Sequence, residues 1–318
     1  MRAVFFDFGS VAEGGDLDPG SLRAVLPGIE IFDETADAEL APRLAGCTVA
    51  IANKVPFSDA LLAASPELRL IALTATGVNN VDLDAARRRG VAVCNIRDYC
   101  TTSVVQHVFA TLLALTHGLR EYDRALKAGA WERASQFTML NHPIRELAGL
   151  TLGIVGYGTL GRGVARVAAA FDMKVVVANR AGGAREPGRL DLAELLPLVD
   201  VLTLHCPITP ATHHLIGRAE LARMKPDAVV INTARGALID AAALAEALRA
   251  RRLGGAAIDV LEHEPPVGGN PLLAPDLGNL LATPHTAWAA RESRQRAIDE
   301  VAANVRDFLA GGRRNRVD

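Results

Sequence analysis

Gly153-Ile154-Val155-Gly156-Tyr157-Gly158-Thr159-Leu160-Gly161 is the stretch whose reading decides the fold. The apolar run 152–155 predicts a strand, residues 159–171 predict a helix, and a second strand is expected over 174–178. A G-x-G-x-x-G between strand and helix is the turn that cradles a dinucleotide. Gly156 permits the tight turn, Gly158 lets a pyrophosphate approach the backbone, and Gly161 lets the helix pack near the strand. Free amides near Thr159 and Leu160 face the phosphates, and the helix dipole favours their charge.

Working outward, the same alternation continues in both directions. Downstream strands are predicted at 201–204, 228–231, 256–260 and 280–282, with helices at 192–196 and 241–251, the latter N-capped by Asp240. Upstream strands are predicted at 2–7, 30–32, 48–51, 69–73 and 91–94, with a helix at 82–89 closed by Gly90. Two such series predict an α/β chain of two doubly wound, Rossmann-like domains with parallel sheets. Residues 101–119 read as one long apolar helix leaving the first series, and a final helix over 289–309 returns to it. The expected organisation is a flavodoxin-like substrate-binding domain from 1–100 and 289–318, with an NAD(P)-binding domain, 101–288, inserted in it. Residues 120–149, with Trp131, Phe137 and His142-Pro143, fit neither sheet and are read as a dimerisation arm, so a homodimer is expected. The alternative is a loop folded on its own subunit.

Of the 318 residues 50% are hydrophobic and only 4% aromatic, which suits stacked helices on parallel strands. The formal net charge of −2 gives no electrostatic case for nucleic acid or an anionic membrane as partner. No apolar run is long enough to span a bilayer, and Asp7 interrupts the N-terminal apolar run, so a first strand is read there instead of a signal peptide. A cytoplasmic location is the expectation. Cys47, Cys94, Cys100 and Cys206 form no CxxC pair and are read as small buried hydrophobes. His213-His214 lack a third ligand at suitable spacing, so no metal is expected. His107, inside the long helix, is read as a satisfied buried histidine.

Three further segments follow second-series strands, at the edge where an open α/β sheet binds ligands. They are Asn232-Thr233-Ala234-Arg235-Gly236, Asp259-Val260-Leu261-Glu262-His263-Glu264-Pro265-Pro266 and Thr283-Pro284-His285. Reducing a 2-oxo acid needs a cation for the carboxylate, a proton donor for the carbonyl oxygen and a nearby hydride. Arg235 offers a planar fork that can bind carboxylate and carbonyl oxygens together. His285 can serve as general acid in reduction and base in oxidation. At the end of the second strand an NAD-specific site usually places a carboxylate, whereas this chain has Asn179-Arg180. The reading leans to NADPH over NADH, with NADH held through Asn179 as the alternative.

With the glycine motif, these segments closely resemble the D-isomer-specific 2-hydroxyacid dehydrogenases, from about residue 2 to 316, and the opening and 72–82 look most like the glycerate dehydrogenase (hydroxypyruvate reductase, glyoxylate reductase) branch. The resemblance implies reduction of hydroxypyruvate or glyoxylate to the D-2-hydroxy acid by NAD(P)H. It makes Glu264 the carboxylate partner of His285, with Glu262 and His263 facing solvent, and brings Asp259 to the nicotinamide end. It adds Thr233 and Ala234, through their backbone, and Cys206 and Pro207 to the cofactor contacts. It also implies that the loop with Thr76 and Gly77 holds the substrate carboxylate through its amides. Rival readings on the same fold are a formate dehydrogenase, which pairs its histidine with Gln, and a phosphoglycerate dehydrogenase, which often carries a C-terminal regulatory domain. A nicotinamide-sensing corepressor-like binding protein shares the motifs and differs in slow or absent turnover.

Overall fold

Short runs of Val, Ile, Leu and Ala, four or so residues long, form strands because their branched side chains fill a pleated surface buried on both faces. The computed structural model describes all 318 residues, folded as two units, Met1–Cys100 with Trp288–Asp318, and Thr101–Ala287.

The first unit holds β1 (Ala3–Phe5), β2 (Glu30–Ile31), β3 (Val49–Ala52), β4 (Leu70–Leu73) and β5 (Ala92–Cys94), all parallel, in the order β2-β1-β3-β4-β5. Alternation along β1 feeds two cores. Ala3 and Phe5 pack with Leu22 and with Ile298 and Val301 of the terminal helix Arg291–Leu309, whereas Val4 and Phe6 pack with Leu44, Leu62 and Ala85. Burying each larger side chain contributes about 1.5–3 kcal/mol.

The second unit holds β6 (Thr151–Val155), β7 (Lys174–Val177), β8 (Val201–Leu204), β9 (Val229–Asn232), β10 (Gly255–Ile258) and β11 (Leu280–Ala282). Their order is β11-β10-β9-β8-β6-β7, again all parallel. Helices Thr101–Thr116 and Thr159–Ala170 cover one face through Val105, Val108, Leu112, Val164 and Ala168. Leu195, Leu196, Leu244 and Leu248 cover the other. Parallel strands put every C-terminal end on one edge, and the chain reverses its direction of progress between β6 and β8. That reversal opens a crevice where ligands bind such sheets.

Strand ends differ from the sequence expectation by a residue or two, as fraying ends do. One helix differs more. The expected single helix over 101–119 stops at Thr116, because Gly118 adopts φ 58, and a second helix, Leu119–Lys127, begins directly after it. The irregular part of the insert therefore starts at Ala128, the C-cap of that helix. Asp240 caps the helix Ala241–Arg249 as expected, accepting from the Ala242 and Ala243 amides at 3.0 Å. No helix is long and apolar enough to cross a membrane.

Candidate active site

The glycine turn sits at the β6–β8 reversal. Gly156 has φ 95, and a Cβ there would lie 2.5 Å from the His205 carbonyl carbon and 2.6 Å from the Cys206 amide nitrogen. The chain leaving β8 thus runs directly against the turn, and the His205 amide donates to Val155 O at 2.7 Å. Gly158 caps the helix Thr159–Ala170 without a side-chain hydrogen bond, and no protein atom lies within 4 Å of where its Cβ would stand. First-turn amides, here those of Thr159, Leu160 and Gly161, have no acceptor inside their own helix, and no acidic residue sits in that turn. An open, positively poled cradle of this kind fits a pyrophosphate, so the residues present fit a dinucleotide.

Cys206 and Pro207 continue from β8 beside this cradle, and burial pushes the Cys206 thiol up to about 11, so it stays protonated. His205 escaped the sequence reading. Its Nε2 lies 2.9 Å from Thr203 Oγ1, and burial pushes its pKa down to about 4, so the imidazole is neutral at physiological pH. Only the strand alternation Thr203–His205 within an apolar run hinted at it.

Past the end of β7, Asn179 Nδ2 donates to Asp191 Oδ1 at 2.8 Å, and Asn179 Oδ1 accepts from the Glu186 amide at 3.0 Å. Asp191 is a carboxylate that the sequence spacing did not place here. The Asn179 hydrogen bond, then Arg185, hold it below the usual carboxylate range, and Arg185 pairs with it directly. Arg180 is exposed.

Arg235, Glu264 and His285 follow β9, β10 and β11, three adjacent strands, so all three leave the same sheet edge. Asn232 clamps the first loop, since its Nδ2 donates to Arg235 O at 2.8 Å and its Oδ1 accepts from the Ala234 amide at 3.0 Å. Arg235 is half-buried, and its Nη1 donates to Ala234 O at 2.7 Å. Thr233 Oγ1 is buried without a partner. Glu264 accepts from the Leu261 amide at 2.7 Å through Oε1 and pairs with His285 Nδ1 at 2.6 Å through Oε2. An ionised carboxylate only accepts, so Nδ1 carries the proton and Nε2 is left as the working nitrogen.

His285 has φ 56, a conformation that non-glycine residues rarely adopt. Asp259, 3% exposed, holds it there. The His285 amide donates to Asp259 O at 2.7 Å. Asp259 Oδ1 accepts from Thr283 Oγ1 at 2.6 Å and the Thr286 amide at 2.8 Å, and Oδ2 accepts from the Ala287 amide at 2.9 Å. His107 Nε2 lies 3.1 Å from the same Thr283 hydroxyl. Both oxygens of Asp259 are therefore engaged in shaping the turn that carries the imidazole.

Gly236 couples two of these loops. A Cβ there would collide with the Leu261 carbonyl carbon and the Glu262 amide nitrogen, which are backbone atoms that cannot rotate away. Gly236→Ala is expected to lower stability by about 1–3 kcal/mol through overpacking. It also pushes the loop of Glu264 outward, so kcat falls together with the melting temperature. Thermal unfolding beside steady-state kinetics checks this, and an unchanged melting temperature contradicts the close approach.

Thr76 and Gly77 lie in the first unit, just past the end of β4. Thr76 Oγ1 donates to Ile96 O at 2.9 Å and Thr76 O accepts from Asn95 Nδ2 at 2.8 Å, which pins the loop from within that unit.

A family model described as D-isomer specific 2-hydroxyacid dehydrogenase, NAD binding domain, matches residues 109–287. A glycerate dehydrogenase of Methylorubrum extorquens is 43% identical over 280 residues, 88% of each chain. A hydroxypyruvate reductase of Blautia hydrogenotrophica is 34% identical, with 98% of each chain covered. Among solved structures, the TT0316 protein from Thermus thermophilus matches with a TM-score of 0.85 and 36% identity over 100% of both chains.

Proposed function

This chain belongs to the D-isomer-specific 2-hydroxyacid dehydrogenase family, and from that premise we propose that it reduces hydroxypyruvate or glyoxylate. It is an oxidoreductase that moves a hydride between a nicotinamide cofactor and a small 2-oxo acid, giving the D-2-hydroxy acid. The observation that carries the site assignment is the 2.6 Å Glu264–His285 pair, on the loops after β10 and β11, with β10 lying beside the strand β9 that delivers Arg235.

In this reading the Arg235 guanidinium binds the substrate carboxylate and carbonyl oxygen and polarises the carbonyl. His285 delivers its Nε2 proton to the carbonyl oxygen, and Glu264 stabilises the imidazolium and fixes its orientation. The reduced nicotinamide supplies the hydride when bound. Gly156, Gly158, Thr159, Leu160 and Gly161 hold the pyrophosphate, while Asn179, Cys206, Pro207, Thr233 and Ala234 border the rest of the dinucleotide. Asp259 acts as a positioning residue for the nicotinamide end and for His285. Thr76 and Gly77 are assigned to the substrate carboxylate through their loop amides.

NADPH is the proposed preference. Arg185 neutralises Asp191, which leaves the exposed Arg180 as a cation for a 2′-phosphate. The test of both proposals is one absorbance assay at the nicotinamide band, with glyoxylate, hydroxypyruvate, pyruvate and bulkier 2-oxo acids against NADPH and NADH. Hydroxypyruvate or glyoxylate is expected to give the highest kcat/KM, and NADPH to exceed NADH. Faster turnover of the bulky acids overturns the substrate proposal, and a hundredfold preference for NADH overturns the cofactor one.

A homodimer is also proposed. Leu119, Leu126, Trp131, Phe137, Leu140 and Ile144 are exposed within one short segment, Phe137 by 87% and Leu140 by 80%. Such clustering of large apolar side chains marks an association surface. Light scattering on the purified protein is expected to give twice the chain mass, and Phe137→Asp with Leu140→Asp to give the monomer. A wild-type monomer at assay concentration removes the proposal.

A further inference from the structure

We propose that His213, His214 and Glu262 form a surface site for a first-row divalent transition metal such as Zn²⁺. Sequence spacing offered the two histidines no third ligand, but the fold brings Glu262, 48 residues beyond His214, against both of them. His213 Nε2 lies 3.6 Å from Glu262 Oε1 and His214 Nε2 lies 3.4 Å from Glu262 Oε2. The candidate ligand atoms of the three residues all fall within 4.8 Å of one another.

Each histidine nitrogen stands about one tetrahedral edge from a different oxygen of Glu262, so a bound ion would draw on both carboxylate oxygens or draw one imidazole inward. Zinc–ligand bonds of about 2.0–2.2 Å set tetrahedral ligand atoms roughly 3.3–3.6 Å apart. An imidazolium paired with a carboxylate closes to about 2.7–2.9 Å, and the His285–Glu264 pair in the same unit stands at 2.6 Å. The His213–Glu262 and His214–Glu262 separations are wider, the latter a long hydrogen bond at 3.4 Å that a bound ion would replace.

The scaffold under the site is built from one segment. His214 has φ 48, and this left-handed turn brings its ring onto that of His213, with centroids 4.1 Å apart. The His214 amide donates to Ala237 O at 2.7 Å. One residue earlier, Gly236 packs against the Leu261–Glu262 backbone, so both sides of the site are anchored to 236–237. Imidazole and carboxylate ligands suit Zn²⁺, Ni²⁺ or Cu²⁺, whereas Mg²⁺ and Ca²⁺ seek oxygen alone. Three protein ligands leave a fourth position for water.

The test is Zn²⁺ titration of the tag-free, full-length protein by calorimetry, repeated for His213→Ala, Glu262→Ala and the control His285→Asn. One equivalent is expected to bind the wild type and the control alike, with at least tenfold weaker binding in the other two variants. Co²⁺ in place of Zn²⁺ is expected to give the intense visible bands of a tetrahedral site, lost in the same two variants. Absence of binding overturns the proposal, as does affinity that follows His285 or survives both His213→Ala and Glu262→Ala. The melting temperature without metal is expected to be the same in His213→Ala as in the wild type, which separates lost ligation from lost folding.

Discussion

His285→Asn is expected to lower kcat for 2-oxo acid reduction by about 10²–10⁴-fold while leaving cofactor affinity unchanged. The range is that of general acid–base catalysis by a positioned side chain. Asparagine is the informative replacement, because it tolerates the left-handed backbone that His285 adopts at φ 56. A loss of activity then reports the missing proton donor, with the turn held by Asp259 left in place. Fluorescence titration with NADPH and a stopped-flow turnover measurement separate the two effects. Near-wild-type turnover of the folded variant would remove His285 from the mechanism. Glu264→Gln is a milder change, since the amide can still accept from Nδ1–H but no longer compensates a charged ring.

Arg235→Lys is expected to reduce kcat/KM by about 10²–10³-fold, the loss typical of one donor aimed at a developing oxyanion. An ammonium keeps the charge, but as a point donor it cannot span carboxylate and carbonyl oxygens as the guanidinium fork does. The loss should show in both constants, with KM raised by weaker carboxylate binding and kcat lowered by a less polarised carbonyl. Cofactor binding should be indifferent to the change. A variant with altered NADPH affinity and unaltered kcat/KM would place the side chain on the dinucleotide instead. The Asn232 clamp on the Arg235 carbonyl keeps the loop in register in either case.

Much of the chemistry was legible from residue order because motif and position in a βαβ unit coincide. The glycine turn, the loop of Arg235 and the Thr-Pro-His segment each follow a short apolar run, and such runs end at one sheet edge. Asp240 as a helix cap could be read because capping depends on neighbours two or three residues away. The helix beyond Gly118 was missed because its residues are mostly charged and none is buried, and the turn itself shows only in the Gly118 backbone angle. His205 was missed for a related reason, since burial alone sets its neutral state and burial is a tertiary quantity.

The amino-acid order by itself determined the parallel α/β class, the phosphate-cradling turn and the identity of the guanidinium and imidazole. Those features depend on local periodicity and on side-chain chemistry, which no neighbour distant in sequence can alter. Only the tertiary structure decided that Asp191 meets Arg185 and that Glu262 meets His213 and His214, and it sets at 2.6 Å the Glu264–His285 pair that the resemblance implied. Strand order sets the Glu264–His285 pairing, whose loops follow the neighbouring strands β10 and β11. Loops far apart along the chain become neighbours when their strands lie about 4.8 Å apart in a sheet.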